Sequence, residues 1–215
     1  MRAGFTLTEV LFTMAIFTVV GVGVGVFTID TGRLMFVSTA KLEMAGDMRQ
    51  ITMQLSDIAR ESNEYHVYTS YSGGVTAGSR QTEGGRGDCL VLIFQEPRNT
   101  TTGLPDFAGA TYIYKLVVYF RESGTGNLGP VKTFTIEYPG TSAKLVGQAG
   151  NSVEELVNAY SGPYREIVQL AKGLANAKLF YLLNRECIMV KAEIYHGNKV
   201  KEVTNTYNFT ISPRG

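Results

Sequence analysis

Twenty consecutive residues, Val10 to Ile29, carry no charge. As a helix rising about 1.5 Å per residue, the run is about 30 Å long, the hydrocarbon thickness of a bilayer. Asp30 and Arg33 end it. A small domain rarely buries a core helix of this length, so the run predicts a membrane segment. The chain has 215 residues, 44% of them hydrophobic and 18% charged, enough for one globular domain besides that segment.

Three kinds of membrane segment fit the run. One is a plain signal anchor. The second is a secretory signal peptide, with Val10–Val20 as its apolar region and Gly21-Val22-Gly23 as a small-x-small cleavage site. The third is a leader cut ahead of the run. Glu9 separates them. A carboxylate at mid-membrane costs about 2.5–3.5 kcal/mol, and neither a signal peptide nor an ordinary anchor has a use for one. A chain that keeps Glu9 should hold a partner for it. A blander reading has Glu9 favouring the positive end of the helix dipole, but it leaves the residues before Glu9 unexplained.

Those residues, Gly4-Phe5-Thr6-Leu7-Thr8-Glu9, resemble the type IV prepilin cleavage and methylation motif. The resemblance implies that a prepilin peptidase cuts between Gly4 and Phe5 and that Phe5 becomes the N-methylated mature terminus. It also implies that Glu9 brings each new subunit into register with its neighbour. Two departures stand out: Ala3 separates Arg2 from Gly4, and the leader, residues 1–4, is very short. Phe5 and Glu9 lie four apart and share a helix face. In a low-dielectric bundle the carboxylate could instead meet the ammonium of an adjacent subunit, and the pairing would specify register.

Beyond the run, Leu34, Val37, Met44, Met48, Ile51, Leu55 and Ile58 fall at helical spacing, with Lys41, Glu43, Asp47, Arg49, Gln50, Gln54, Asp57 and Arg60 between them. One helix from Phe5 to about Ser62 is predicted, greasy all round in residues 5–29 and one-sided in residues 30–62. The stripe fits a coiled-coil seam or packing on the chain's own sheet, and its few heptads favour the sheet. Gly21, Gly23 and Gly25 alternate with valines, and both residue types form helix poorly. The stretch can loosen, as in filaments of the family it resembles, or allow close helix packing through small residues.

Residues 71–87 are rich in Gly and Ser and read as an exposed loop. The tripeptide Arg86-Gly87-Asp88 resembles an adhesion motif, a three-residue match that nothing else supports. From Asp88 the period becomes two. Leu90, Leu92 and Phe94 mark a strand, as do Tyr112 to Phe120 and Phe134, Ile136 and Tyr138; Leu174 to Leu183, Ile188 to Tyr195 and Lys201 to Ile211 follow, with Gly197-Asn198 as a hairpin turn. Pro97 to Gly109 reads as a loop, and Ser152 with Glu155 as the capping box of a short helix. The fold class is α+β, a long N-terminal helix packed on an antiparallel β-sheet head over residues 63–215. That layout again resembles pilins and pseudopilins, in size and strand content especially the J-type minor pseudopilins and W-type minor pilins.

No catalytic constellation is visible, so the chain reads as no enzyme and needs no cofactor. His66 and His196 have no Cys or carboxylate at motif spacing. Asp106, Glu122 and Asn127 fall in loops but fit no calcium pattern. A net charge of +1 gives no pull toward nucleic acid. Cys89 and Cys187 either form one long-range disulfide, worth about 4–5 kcal/mol in the chain-entropy model, or stay as free thiols.

The resemblance implies a subunit anchored in the inner membrane with a periplasmic head, joining a type II secretion pseudopilus or a type IV pilus. Its implied partners are the prepilin peptidase, other pilin or pseudopilin subunits and an inner-membrane assembly platform. The rival is a secreted or membrane-anchored binding domain or enzyme with a conventional signal sequence.

Overall fold

The computed structural model describes residues 6–99, 102, 105, 109–122, 130–168, 178–183, 187–198 and 201–212. Two compact units divide the chain, Met1–Leu42 and Glu43–Gly215. Helix α1, Leu7–Glu61, is 55 residues long. In the first unit its apolar side chains face outward: Leu7, Phe12, Phe17, Val19 and Phe27 are 73–80% exposed. The threonines of the apolar run turn their hydroxyls back onto the helix, Thr13 to the Glu9 carbonyl, Thr18 to Met14 and Thr28 to Val24. Each hydroxyl thus finds an acceptor without leaving the apolar surface.

In the second unit α1 is one-sided, with Met48, Ile51, Leu55 and Ala59 buried. Of the stripe read from the sequence, Met48, Ile51 and Leu55 are buried, Val37 and Ile58 half-buried, Leu34 is exposed, and the Met44 side chain lies outside the description; Ala59, too small to mark a stripe, also lies on the buried face. The helix ends where the Ser62 hydroxyl donates to the Ala59 carbonyl, and the Asn63 amide donates to the Ile93 carbonyl.

The head holds two antiparallel sheets rather than one. The strands in chain order are β1 (Glu64–Tyr68), β2 (Arg86–Gly87), β3 (Cys89–Arg98), β4 (Ala110–Arg121), β5 (Val131–Glu137), β6 (Lys144–Leu145), β7 (Arg165–Val168), β8 (Phe180–Leu182), β9 (Ile188–Asn198) and β10 (Lys201–Ile211). The first sheet runs β1-β3-β4-β5-β7, with β6 also on β4; the second runs β10-β9-β8-β2. Helix α2, Val153–Asn158, carries both halves of the expected Ser152/Glu155 capping box.

The first sheet is apolar on both faces, which period-two reading cannot show. One face presents Cys89, Val91, Ile93, Leu116, Val118, Phe120 and Phe134 to a core completed by Tyr71, Val75 and the α2 residues Val153, Leu156 and Val157. The other presents Val67, Leu90, Leu92, Val117 and Tyr119, all buried. The stripe of α1, closed to solvent within the same unit, and this second face account for each other's burial.

Three sequence expectations are corrected, and a fourth is met in part. Residues 71–87 are not simply an exposed loop, since Tyr71 and Val75 enter the core and Gly87 is a buried strand residue. Tyr71 is held by its ring contacts with Phe120 and Phe134. Pro97 and Arg98 belong to β3, paired with Thr111 and Ala110. Beyond the Glu64↔Ile93 pair β3 has lost β1 as a neighbour, and a proline is tolerated in a strand with one open side. The β9–β10 ladder continues to Asn198↔Lys201, so Gly197 and Asn198 pair instead of turning. Of the strand expected over residues 174–183, Phe180–Leu182 is formed, and residues 174–177 lie outside the described ones.

Candidate functional site

The N-terminal segment is built by a second capping box, one the sequence reading missed. Thr6 precedes α1, and its carbonyl accepts from the Glu9 and Val10 amides. The Thr6 amide donates to Glu9 Oε2 at 2.9 Å, and the Glu9 amide lies 3.4 Å from Thr6 Oγ1. The Thr6 hydroxyl donates to the same Oε2 at 2.8 Å. Two amides that open every helix without partners are satisfied in this way. The signal was present as Thr-x-x-Glu ahead of an apolar run, the pattern that located Ser152 and Glu155. Glu9 therefore already has a partner within its own chain. Gly4 and Phe5 lie outside the described residues.

The remaining candidates sit in the head. Asp88 is buried, and its Oδ2 accepts from Arg121 Nη2 at 2.6 Å and from Lys178 Nζ at 3.1 Å. Its Oδ1 accepts from the Leu179 amide at 3.2 Å. Asp88 follows β2 of one sheet and precedes β3 of the other, so the cluster joins the two sheets. A β-carbon on Gly87 would stand 1.9 Å from the Tyr68 carbonyl oxygen. The tripeptide Arg86-Gly87-Asp88 is thus a structural joint, with its aspartate unavailable to a receptor.

Cys89 and Cys187 are free thiols, Cys89 buried and Cys187 half-buried, so the disulfide weighed from the sequence is not formed in this structure. Burial and the neighbouring Asp88 push the Cys89 thiol far up, which keeps it protonated and unreactive. Glu122 pairs with Lys132 at 2.8 Å; Asp106 and Asn127, the other two loop residues weighed for calcium, lie outside the described residues. Among the described residues no group of three or more His, Cys, Asp or Glu could hold a metal ion. His196 lies in β9, its side chain outside the description.

His66 has the carboxylate that motif spacing did not reveal. Strand alternation puts Glu64, His66 and Tyr68 on one face of β1. His66 Nε2 is 2.9 Å from Glu64 Oε1, and its Nδ1 is 3.1 Å from the Tyr68 hydroxyl. The hydrogen bond from His66, ahead of the opposing cost of burial, lowers the Glu64 carboxyl.

Among known proteins, residues 1–25 match the family of the prokaryotic N-terminal methylation motif. The chain carries a prepilin-type methylation motif. On that motif it is type IV pilin-like, and the long N-terminal helix with antiparallel sheets is consistent with a pilin-like α+β fold. No curated protein and no solved structure matches the chain. The match ends inside the apolar run, so this type IV pilin-like assignment rests on the segment that Thr6 and Glu9 organise. Helix α1 is long and apolar enough to cross a membrane, and with the motif it suggests a membrane-anchored protein. The motif implies processing by a prepilin peptidase and assembly with other pilin subunits, in a family that is generally structural rather than enzymatic.

Proposed function

We propose that this chain is an assembly subunit of a type II secretion pseudopilus or a type IV pilus. A prepilin peptidase removes residues 1–4 and methylates Phe5. The apolar half of α1 holds the precursor in the inner membrane with the head in the periplasm, and the subunit is then drawn into the filament. Its size and strand content favour a minor subunit, of the J or W type, over a major one. The observation that carries this reading is the methylation motif over residues 1–25, continuous with a helix whose apolar side chains face outward.

The capping box sharpens the role of Glu9. Cleavage at Gly4 leaves the Thr6 amide in place, because Phe5 remains bonded to it. The box therefore survives processing. Both bonds to Thr6 fall on Oε2, and Oε1 is the oxygen that meets the Phe5 ammonium of a neighbouring subunit. An unpaired charge in that bundle costs a few kcal/mol. Glu9→Val should leave cleavage intact and reduce incorporation into sheared filaments by about tenfold or more. Glu9→Gln keeps an acceptor for Thr6 but removes the charge, and it should be impaired as well. Wild-type incorporation of Glu9→Gln would show that the carboxylate serves the helix start alone.

A further inference from the structure

His66 stands in a chain of three hydrogen bonds that links β1 to α2. Glu64 Oε1 lies 2.9 Å from Nε2, the Tyr68 hydroxyl lies 3.1 Å from Nδ1, and the same hydroxyl donates to Glu154 Oε1 at 2.8 Å. His66 is 6% exposed and Tyr68 fully buried, so water does not substitute freely at the centre of the chain.

The protons of this chain can be counted. Glu64, its carboxyl lowered by His66, is an acceptor. Glu154 accepts from Tyr68, and a phenol has one proton to give. Burial, with Glu154 second, pushes the Tyr68 hydroxyl far up, so it stays a phenol. Its oxygen can then only accept from Nδ1. All three bonds therefore form together only when both ring nitrogens carry protons, in the imidazolium.

Loss of one proton breaks one bond, and the surroundings decide which. If Nε2 lost it, a buried lone pair would face the Glu64 carboxylate. If Nδ1 lost it, Tyr68 would need only to rotate its hydroxyl toward the ring. Glu64 would keep its bond from Nε2, and half-buried Glu154 would be left to water. The second route leaves no buried group without a partner. Among the described residues, Arg80 stands 3.7 Å from Glu64 Oε1, and the buried, protonated Cys89 thiol acts on Tyr68. Gln95 Nε2 also donates to Glu64 Oε2 at 3.2 Å, so Glu64 stays anchored in both states.

We propose that His66 is a proton-operated latch: its imidazolium form ties α2 to β1 through Tyr68, and its neutral form loosens α2 by drawing the hydrogen bond of the Tyr68 hydroxyl to Nδ1. Release reaches further than α2. The Asn158 side chain at the end of α2 brackets Val75, accepting from its amide at 2.7 Å and donating to its carbonyl at 2.8 Å. The loop that carries Tyr71 and Val75 into the core loosens with the helix.

The test uses the full chain in detergent micelles, with nitrogen-15 in its two histidines. As pH rises, the His66 signals should pass from imidazolium to the tautomer with Nε2 protonated and Nδ1 bare. In the same range the hydrogen-exchange protection factors of the α2 amides and of Val75 should fall about tenfold, the worth of one charge-assisted bond. Glu154→Ala removes the outer acceptor without touching the core. Its α2 protection should be independent of pH and equal to the released wild-type value. Nδ1 protonated in the neutral form, or unchanged pH dependence in Glu154→Ala, would overturn the latch.

Discussion

Side chains of the same apolar character meet opposite fates in the two units. In residues 7–42 Phe12, Phe17 and Phe27 are more than 70% exposed, while in residues 43–215 Phe94, Phe120, Phe134 and Phe180 are at most 3% exposed. Among the described residues of the head, both faces of the first sheet are buried, and the buried carboxylate of Asp88 is paired with two cations. The helix of the first unit is incomplete in water, and burying its side chains at about 25 cal/mol per Å² requires lipid or neighbouring helices. The two capping boxes show the same contrast. Ser152 and Glu155 open a helix that buries Val153, Leu156 and Val157 in its own head. Thr6 and Glu9 open one that buries nothing of its first turns. One end is finished by the fold, and the other is left for a partner.

This contrast can be broken by mutation. The largest effect is expected at Asp88. Asp88→Ala leaves Arg121 and Lys178 without their shared carboxylate, and losing one partner of a buried pair costs about 3–5 kcal/mol. Chemical denaturation of the full chain in micelles should show that loss in the head transition.

Glycine gives the next comparison. Gly87→Ala forces a β-carbon to within 1.9 Å of the Tyr68 carbonyl, which should destabilise the head by about 3 kcal/mol. Gly23→Ala meets nothing within 4 Å and should leave head stability unchanged, while favouring helix locally by about 1 kcal/mol. Equal effects of the two substitutions would erase the distinction between a closed and an open unit.

How far the sequence spoke follows the same division. The apolar run, the single helix and the box at Ser152 were legible because each is a local pattern with its own period or spacing. Strands β4, β5, β9 and β10 were legible for the same reason. The two-faced burial of β3 was not, because a strand apolar on both faces has no alternation to read. Tyr71 and Val75 were hidden by the glycines and serines around them, since what places them is a distant aromatic contact with Phe120. The chain from Glu64 through His66 and Tyr68 needed Glu154, 86 residues beyond Tyr68. The Thr6 box is local too, but its glutamate is also the single charge at the mouth of the apolar run, and the two roles of Glu9 share one position.

The smallest effect concerns acid. The Ser152 hydroxyl, then its amide, hold the Glu155 carboxyl below the ordinary carboxylate range. A lowered carboxyl stabilises the fold above its unfolded value, and that contribution is lost as pH falls through the folded value. Ser152→Ala should therefore cost a little stability at neutral pH, in thermal melts followed by circular dichroism. The gap between variant and wild type should narrow as the solution is acidified through the range in which a free carboxylate takes up its proton. A gap that stays constant with pH would leave the box without its charged half.

The most direct measurement is the mass of the N-terminal peptide from protein made alongside a prepilin peptidase. An open helix that opens on Thr6 and Glu9 and awaits neighbours predicts a chain that begins at N-methylated Phe5. A chain that begins near Val24 would mean that the apolar run is a discarded signal peptide, and the account given for Gly4, Phe5 and Glu9 would fall with it.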